Sequence, residues 1–389
     1  MNKIVNEMTF ELKNHILPFW MNLIDREYGG FYGKVDKNYF ILRDAPKSSI
    51  INSRILWAFS ATFNKFKDKN YIYYANHAYF FMINNLLDRK YGGLYLFVDY
   101  SGKVIDTRKH INNLCYAIYA LTEYFEATHK DEVINLAISF FELIESQKNH
   151  SGIYLEEFDR QWIKKTNEFL DRFGLNATIT MNNQLHLLEA YAKLYSIWPK
   201  KELLNQLKIL IENFETKIFS HQSNSFNEFF DSSWNSLVNL KIYGHDIEAS
   251  WLLSNSLEIL GIENENILQI IKKILNNIEK EAMDKNSIIL ELANGNYNKK
   301  RMWWVQTEAV IGFVNGYSLF KVESYLEDAI KIWEFIKIYF IDKNPKGEWY
   351  SCVSDDMHYI QEENIVDEWK GPYHSTRMCL EIITRLQRL

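Results

Sequence analysis

Asn182-Asn183-Gln184-Leu185-His186-Leu187-Leu188-Glu189-Ala190-Tyr191-Ala192-Lys193-Leu194 opens on polar residues and continues with Leu187, Leu188, Tyr191 and Leu194 at helical spacing. The same design occurs five more times. Ser53-Arg54 precedes Ile55, Leu56, Phe59 and Phe63, and His110 to Asn113 precedes Ala117, Ile118, Leu121 and Phe125. His245 to Glu248 leads into Trp251, Leu252, Leu257 and Leu260, and Trp303 to Glu308 into Val310, Phe313, Val314 and Tyr317. His374 to Arg377 leads into Met378, Leu380, Ile382, Ile383 and Leu386. A period of about sixty to seventy residues signals stacked supersecondary units, each bringing polar groups to the same end.

Between these copies lies a second set of six helical patterns, roughly over residues 3–18, 70–87, 131–147, 200–218, 264–281 and 324–341. They are richer in Lys, Asn and Glu, as helices with one wet face are. Five prolines in 389 residues leave these segments uninterrupted. Several are followed by glycine and aromatic clusters suited to tight turns and short strands: Gly29-Gly30-Phe31-Tyr32, Gly92-Gly93-Leu94-Tyr95, Gly152-Ile153-Tyr154 and Gly347-Glu348-Trp349-Tyr350. The fourth and fifth units offer only Phe226 to Phe230 and Asn294 to Tyr297. Six drier helices alternating with six wetter ones predict an all-α fold, an (α/α)6 barrel of six inner and six outer helices in a single domain spanning 1–389. An open superhelical array is the rival. It would need polar caps, whereas the last helix is as apolar as the internal ones, which favours closure.

Composition narrows the function. With 47% hydrophobic and 24% charged residues the chain builds a large core, and a net charge of −6 without a Lys/Arg block argues against nucleic acid. No stretch reaches a membrane span and the N-terminus does not read as a signal peptide. Cys115, Cys352 and Cys379 are too scattered for a disulfide framework or zinc site, so a reducing cytoplasm is expected.

His186, His245 and His374 each stand where an inner helix begins. A lone histidine is more often structural; three in register point to proton transfer near neutral pH. Glu248, three residues after His245, falls on the same helical face and is expected to orient that ring. The spacing is no metal signature, since HExxH is absent. Arg54, between apolar runs, is either a buried tie or a donor to an anionic oxygen, and its register favours the second. Trp303, Trp304, Trp349 and Trp369 precede or enter inner helices; tryptophan usually packs a core, but several around one cavity suit a sugar ring. Asp231, Glu248 and Glu308 keep a glycoside hydrolase open, given a suitable distance between two carboxyls.

Several motifs resemble the N-acylglucosamine 2-epimerase family, and within it the branch acting on cellobiose. They are Ser53-Arg54-Ile55-Leu56-Trp57, Thr180-Met181-Asn182 with Leu185 to Tyr191, Tyr243-Gly244-His245-Asp246-Ile247-Glu248, Trp303-Trp304-Val305-Gln306-Thr307-Glu308-Ala309 and Trp369-Lys370-Gly371-Pro372-Tyr373-His374. The similarity runs in order from about Phe19 to Arg385. It implies an (α/α)6 barrel and reversible epimerisation at C2 of the reducing-end sugar of β-1,4-linked disaccharides: cellobiose to glucosyl-mannose, lactose to epilactose. It implies no metal and no cofactor. By the same resemblance His245 and His374 form the acid/base pair, His186 assists ring opening, and Arg54 faces the enediolate. Glu248 supports His245, Asn182 and Glu308 bind hydroxyls, and Trp369 with Trp303 or Trp304 stacks on the sugar. Two departures bear on sugar binding: Asn52, where relatives carry histidine, and Asn112, where they tend to carry tyrosine.

The expected partner is a small-molecule sugar such as cellobiose, lactose or another β-1,4 glucosyl or mannosyl disaccharide, with no nucleic acid or membrane, the chain acting as a monomer or weak homodimer. Competing readings are a monosaccharide aldose-ketose isomerase or N-acylglucosamine epimerase on the same fold, a glycoside hydrolase, and a non-catalytic carbohydrate-binding protein.

Overall fold

Each of the six polar starts opens a helix whose sides are almost entirely buried: Ser49–Phe66, Ile111–Thr128, Met181–Ile197, Tyr243–Leu260, Trp303–Phe320 and Tyr373–Arg388. The structure, a computed structural model, describes residues 2–168, 173–344, 346–360 and 364–388. Each of these inner helices packs on the next, and the sixth packs back on the first, so the ring is closed. The outer helices are Asn2–Glu11, Lys69–Phe81, Asp131–Ser146, Lys201–Asn213, Glu265–Glu281 and Glu323–Tyr339. Five of them pack on the inner helix that precedes them, whereas the N-terminal helix packs on the sixth inner helix at the opposite end of the chain. The fold is the predicted (α/α)6 barrel, and among the described residues no sheet closes.

The outer helices differ from the prediction at their ends. Three close through a wider π turn, at Leu12–Ile16, Met82–Leu86 and Phe214–Ile218. The first then continues over Leu17–Asn22, beyond the predicted end at 18. Each is a single turn one residue longer than an α turn, too brief a change to stand out in a periodicity read over a whole helix. Pro18, with no N–H to donate, stands just after the first of these turns.

What positions the site is the stitching at the mouth. The two or three residues ahead of each inner helix are extended and pair antiparallel with the loop of the next unit: Lys47–Ser48 with Phe97–Val98, Lys109–His110 with Glu157–Phe158, Ile179–Thr180 with Phe229–Phe230, Leu240–Ile242 with Glu291–Ala293, and Arg301–Met302 with Cys352–Val353. Val366, ahead of the sixth helix, bridges to Val35 in the first unit, completing the circle.

A second repeat is electrostatic. Just before five of the inner helices stands a cation paired to a carboxylate, in four cases of the preceding loop and, for Lys241, of the outer helix that follows: Lys47–Asp25 (2.6 Å), Lys109–Asp88 (3.1 Å), Lys241–Glu281 (2.7 Å), Arg301–Asp284 (2.5 Å) and Lys370–Glu348 (2.5 Å). The third helix has Ile179 in that place. Its carboxylate, Glu156, accepts from the Thr180 amide (2.6 Å), the Thr180 hydroxyl (2.9 Å) and Asn167 Nδ2 (2.6 Å). No cation meets it among the described residues, and burial pushes its pKa up to about 8, against the lowering effect of those donors.

Candidate active site

The inner-helix N-termini surround a cavity of about 340 Å³ whose lining includes Arg54, Asn182, His186, His245, Glu248, Trp303, Trp304, Trp369 and His374. Nine of the ten site residues expected from sequence therefore share one space. The tenth, Glu308, lies beneath it.

Each of the three imidazoles rests on a carboxylate through Nδ1: His186 on Glu189 (2.9 Å), His245 on Glu228 (2.9 Å) and His374 on Glu308 (2.8 Å). A carboxylate accepts only, so Nδ1 carries the proton and Nε2 the basic lone pair in each neutral ring. At His186 that lone pair meets the Tyr116 hydroxyl at 2.9 Å, and at His245 it lies 3.2 Å from Asn182 Nδ2. Asn182 is oriented in turn by Asn112, whose Nδ2 donates to Asn182 Oδ1 at 2.5 Å. Burial drives the His374 pKa well below its ordinary value, aided by the nearby Arg377 and Arg54 charges and opposed by Glu248. His374 is thus neutral around pH 7, as a base must be.

Two expected roles are corrected. Glu248 does not orient His245; it pairs with the fully buried Arg377, and the His245 partner is Glu228, ahead of strand Phe229–Phe230. Glu308 is not placed to bind a sugar hydroxyl: one oxygen holds His374 and Arg377 (2.7 Å), the other accepts from Trp251 Nε1 (3.0 Å), and the residue has no exposed surface. Asp231 stays in an exposed turn, bonded to Asn235, and Trp349 is buried against Glu11, so neither reaches the cavity. Asn52 binds the Ala78 carbonyl (3.0 Å) and is a structural tie.

Arg54 donates through Nη1 to the Trp369 carbonyl (2.5 Å) and through Nη2 to the Tyr116 hydroxyl (3.0 Å), while its buried Nε has no protein partner. A cation held at a cavity wall with donor capacity to spare suits an oxyanion. The Trp304 indole lies against both His245 (5.3 Å between centroids) and His374 (5.9 Å). Gly244 permits this: a Cβ there would sit 2.5 Å from the Trp304 ring. Beyond Trp304 and His245 the cleft continues into a space of about 250 Å³ between Thr180, Phe229 and Leu290.

Among the described residues one trio has metal-like spacing, Glu248, Glu308 and His374, with ligand atoms within 4.8 Å of one another. The Arg377 guanidinium already bonds both of its carboxylates, so the positive charge there is supplied by the chain. These two carboxylates converge on one cation rather than facing each other across a gap, which is not the arrangement for glycoside hydrolysis.

Residues missed from sequence are Tyr116, Glu189, Glu228 and Arg377. Glu189 carried a signal, the three-residue spacing to His186; Glu228 carried none, since its partner lies in another element.

The model of the family described as N-acylglucosamine 2-epimerase (GlcNAc 2-epimerase) matches residues 30–377. The cellobiose 2-epimerase of Ruminococcus albus is 40% identical over 384 residues, 98% of this chain and 99% of that protein. That of Dictyoglomus turgidum is 37% identical, covering 99% of each. The solved structure of cellobiose 2-epimerase from Bacillus thermoamylovorans superposes with a TM-score of 0.97 at 42% identity, covering 99% of this chain and 100% of that one.

Proposed function

The chain belongs to the N-acylglucosamine 2-epimerase family, and from that premise we propose that it is a cellobiose 2-epimerase, reversibly inverting C2 of the reducing-end glucose of β-1,4-linked disaccharides such as cellobiose and lactose. It is a carbohydrate epimerase, hence an isomerase.

The observation that carries the reading is the pair His245 and His374: two imidazoles against one indole, each with Nδ1 committed to a carboxylate and Nε2 basic. Inversion through a planar intermediate needs two proton-handling groups on opposite faces of one carbon. In the ring-opened sugar the aldehyde acidifies the C2 hydrogen. One imidazole takes that proton, the electron pair enters the C1–C2 bond, and the charge gathers on O1. The other imidazole, protonated, delivers its proton to the opposite face of C2 as the O1 electron pair re-forms the carbonyl; the two rings end with protonation states exchanged, and proton exchange with solvent restores them. Arg54 faces the enediolate oxygen, a donor of the kind that contributes on the order of 3 kcal/mol. His186, linked through Tyr116 to Arg54, handles the proton of ring opening. Trp303, Trp304 and Trp369 give the apolar faces for the sugar, and Asn182 and Glu248 its polar edge. The second space beyond Trp304 supports a two-ring substrate. The cavity is lined by a single protomer, which is compatible with a monomer or a weak homodimer, and the buried thiols Cys115, Cys352 and Cys379 support a cytoplasmic setting.

The test is incubation with cellobiose, lactose, glucose and mannose in deuterium oxide, followed by NMR. Deuterium at C2 of an epimeric disaccharide is expected, and loss of it in His245→Ala and in His374→Ala. A ketose product would instead indicate isomerisation, and free glucose without label would indicate hydrolysis.

A further inference from the structure

Arg377 sits beneath the cavity floor with no exposed surface, between the rings of Trp251 (4.9 Å) and Tyr373 (4.4 Å). Its Nη1 bonds Glu189 and the Tyr373 hydroxyl (2.5 Å), and its Nη2 bonds Glu248 and Glu308. Two of those carboxylates, Glu189 and Glu308, are the Nδ1 partners of His186 and His374. Among the described residues its ion pairs are these three; Glu228, behind His245, comes from a different part of the ring and is not one of them.

We propose that Arg377 is a positioning residue that couples His186 and His374 into one unit, holding both in the Nδ1-protonated tautomer through a shared guanidinium, while His245 is set independently by Glu228. This rests on the epimerase reading for its consequence in catalysis, but its structural content stands on the network alone.

The physical case begins with geometry. A planar fork gives two terminal nitrogens, each serving two acceptors, and no other side chain spans Glu189 on one side and Glu248 with Glu308 on the other. A buried ion network adds little stability over a well-packed apolar core, so geometry is the more economical account of its presence. The electrostatics agree. Glu308 is faced by Arg377 and His374 from the sixth inner helix, by Trp251 and Glu248 from the fourth and by Glu189 from the third. Burial pushes its carboxyl up, and Arg377 is the first force against this. Glu189, under the same burial, is held down at about 2 by Arg377, His186 and Tyr373. If Glu308 took up a proton it would donate to His374 Nδ1, leaving the ring proton on Nε2 and removing the lone pair that accepts from the sugar. By keeping Glu308 an acceptor, Arg377 keeps His374 a base.

The experiment reads the histidines directly. In the unliganded full-length protein labelled with 15N-histidine, wild type is expected to show His186 and His374 in the Nδ1-protonated tautomer. In Arg377→Lys, whose single nitrogen cannot serve all four acceptors, the His186 and His374 signals move and the His245 signals stay. In parallel kcat falls about 10- to 100-fold, by analogy with losing the outer partner of a metal-bound histidine, with KM for cellobiose within about twofold. Unmoved signals, or all three histidines moving alike, overturn the proposal. If Arg377→Lys does not fold, Glu189→Gln carries the same test: coupling requires the His374 signal to respond as well as that of His186, and a response confined to His186 overturns it. A wild type that places no deuterium at C2 overturns the functional reading instead, and the spectra still decide the coupling.

Discussion

At the scale of single residues the site is three copies of one device, an imidazole whose Nδ1 is tied to a buried glutamate, and the copies differ in what their Nε2 meets. At His186 it is the Tyr116 hydroxyl, itself bonded to Arg54, so this ring belongs to a chain of hydrogen bonds. At His245 and His374 it serves the cavity, with Asn182 beside the former. The carboxylate decides which nitrogen is basic, so Glu228→Gln tests the device without removing the base. A glutamine carries no charge to favour the imidazolium, and its amide can donate to Nδ1 and select the wrong tautomer. We expect kcat to fall on the order of 10²- to 10⁴-fold, with KM changed far less, by analogy with carboxylates behind metal-bound and catalytic histidines. An unchanged kcat would mean that His245 does not need Glu228. This pairing was not legible in the sequence. Glu248 had the right spacing and the wrong partner, because helical spacing sets which residues share a face and not which element faces them. The same rule worked for His186 and Glu189, where both partners lie on one helix.

At the scale of elements, helix positions were legible because five of the inner helices are apolar on most sides and the outer helices on one, a contrast the sequence states directly. The π turns were not, nor was the pairing of each pre-helix strand with the following unit's loop, since strands of two or three residues carry too little pattern. The cation ahead of the helices is visible once the starts are aligned, but its partner lies 17 to 40 residues away in chains of folded turns, beyond any local rule. The Lys47–Asp25 pair is the simplest copy to test, both side chains being buried, with Lys47 also donating to the Gly29 carbonyl at 2.8 Å. Lys47→Met keeps the stem's packing and leaves Asp25 buried without its cation. Breaking such a pair costs about 3–5 kcal/mol, so a clear fall in Tm is expected in thermal unfolding followed by circular dichroism. Because Lys47 precedes the helix that carries Arg54, activity is expected to decline with it. A Tm equal to that of wild type would show that the loop is held by its backbone alone.

At the scale of the whole molecule, the closed ring gathers groups more than three hundred residues apart: Arg54 touches the backbone of Trp369, and the N-terminal helix covers the last inner one. Closure was legible in the sixth copy of the repeat rather than in its composition, for the last helix is more polar than the other five and still buried along most of its length. That the chain's first helix supplies its cover was not, for nothing local records which ends meet. The same ring shares its stability with every unit, which makes the unit with no such cation among the described residues a global matter. Glu156 has a folded pKa of about 8 and an ordinary value of 4.5, so its neutral form is the one the fold prefers. Where the folded pKa is raised, the unfolded chain releases its proton first as pH climbs. The contribution is therefore fully present below about pH 4.5, is lost progressively as pH rises toward 8, and levels off above. Asp246, pushed by burial to about 7 and accepting from the Phe226 amide (2.7 Å) and Ser225 hydroxyl (2.6 Å), acts in the same direction over nearly the same window. Glu156→Gln, which keeps an acceptor for Thr180 and cannot ionise, is expected to lower Tm slightly or not at all at pH 5 and to raise it relative to wild type at pH 8. Melting curves of the two proteins at pH 5, 6, 7 and 8 give the slope directly, and parallel curves would show that Glu156 keeps its charge in the folded state.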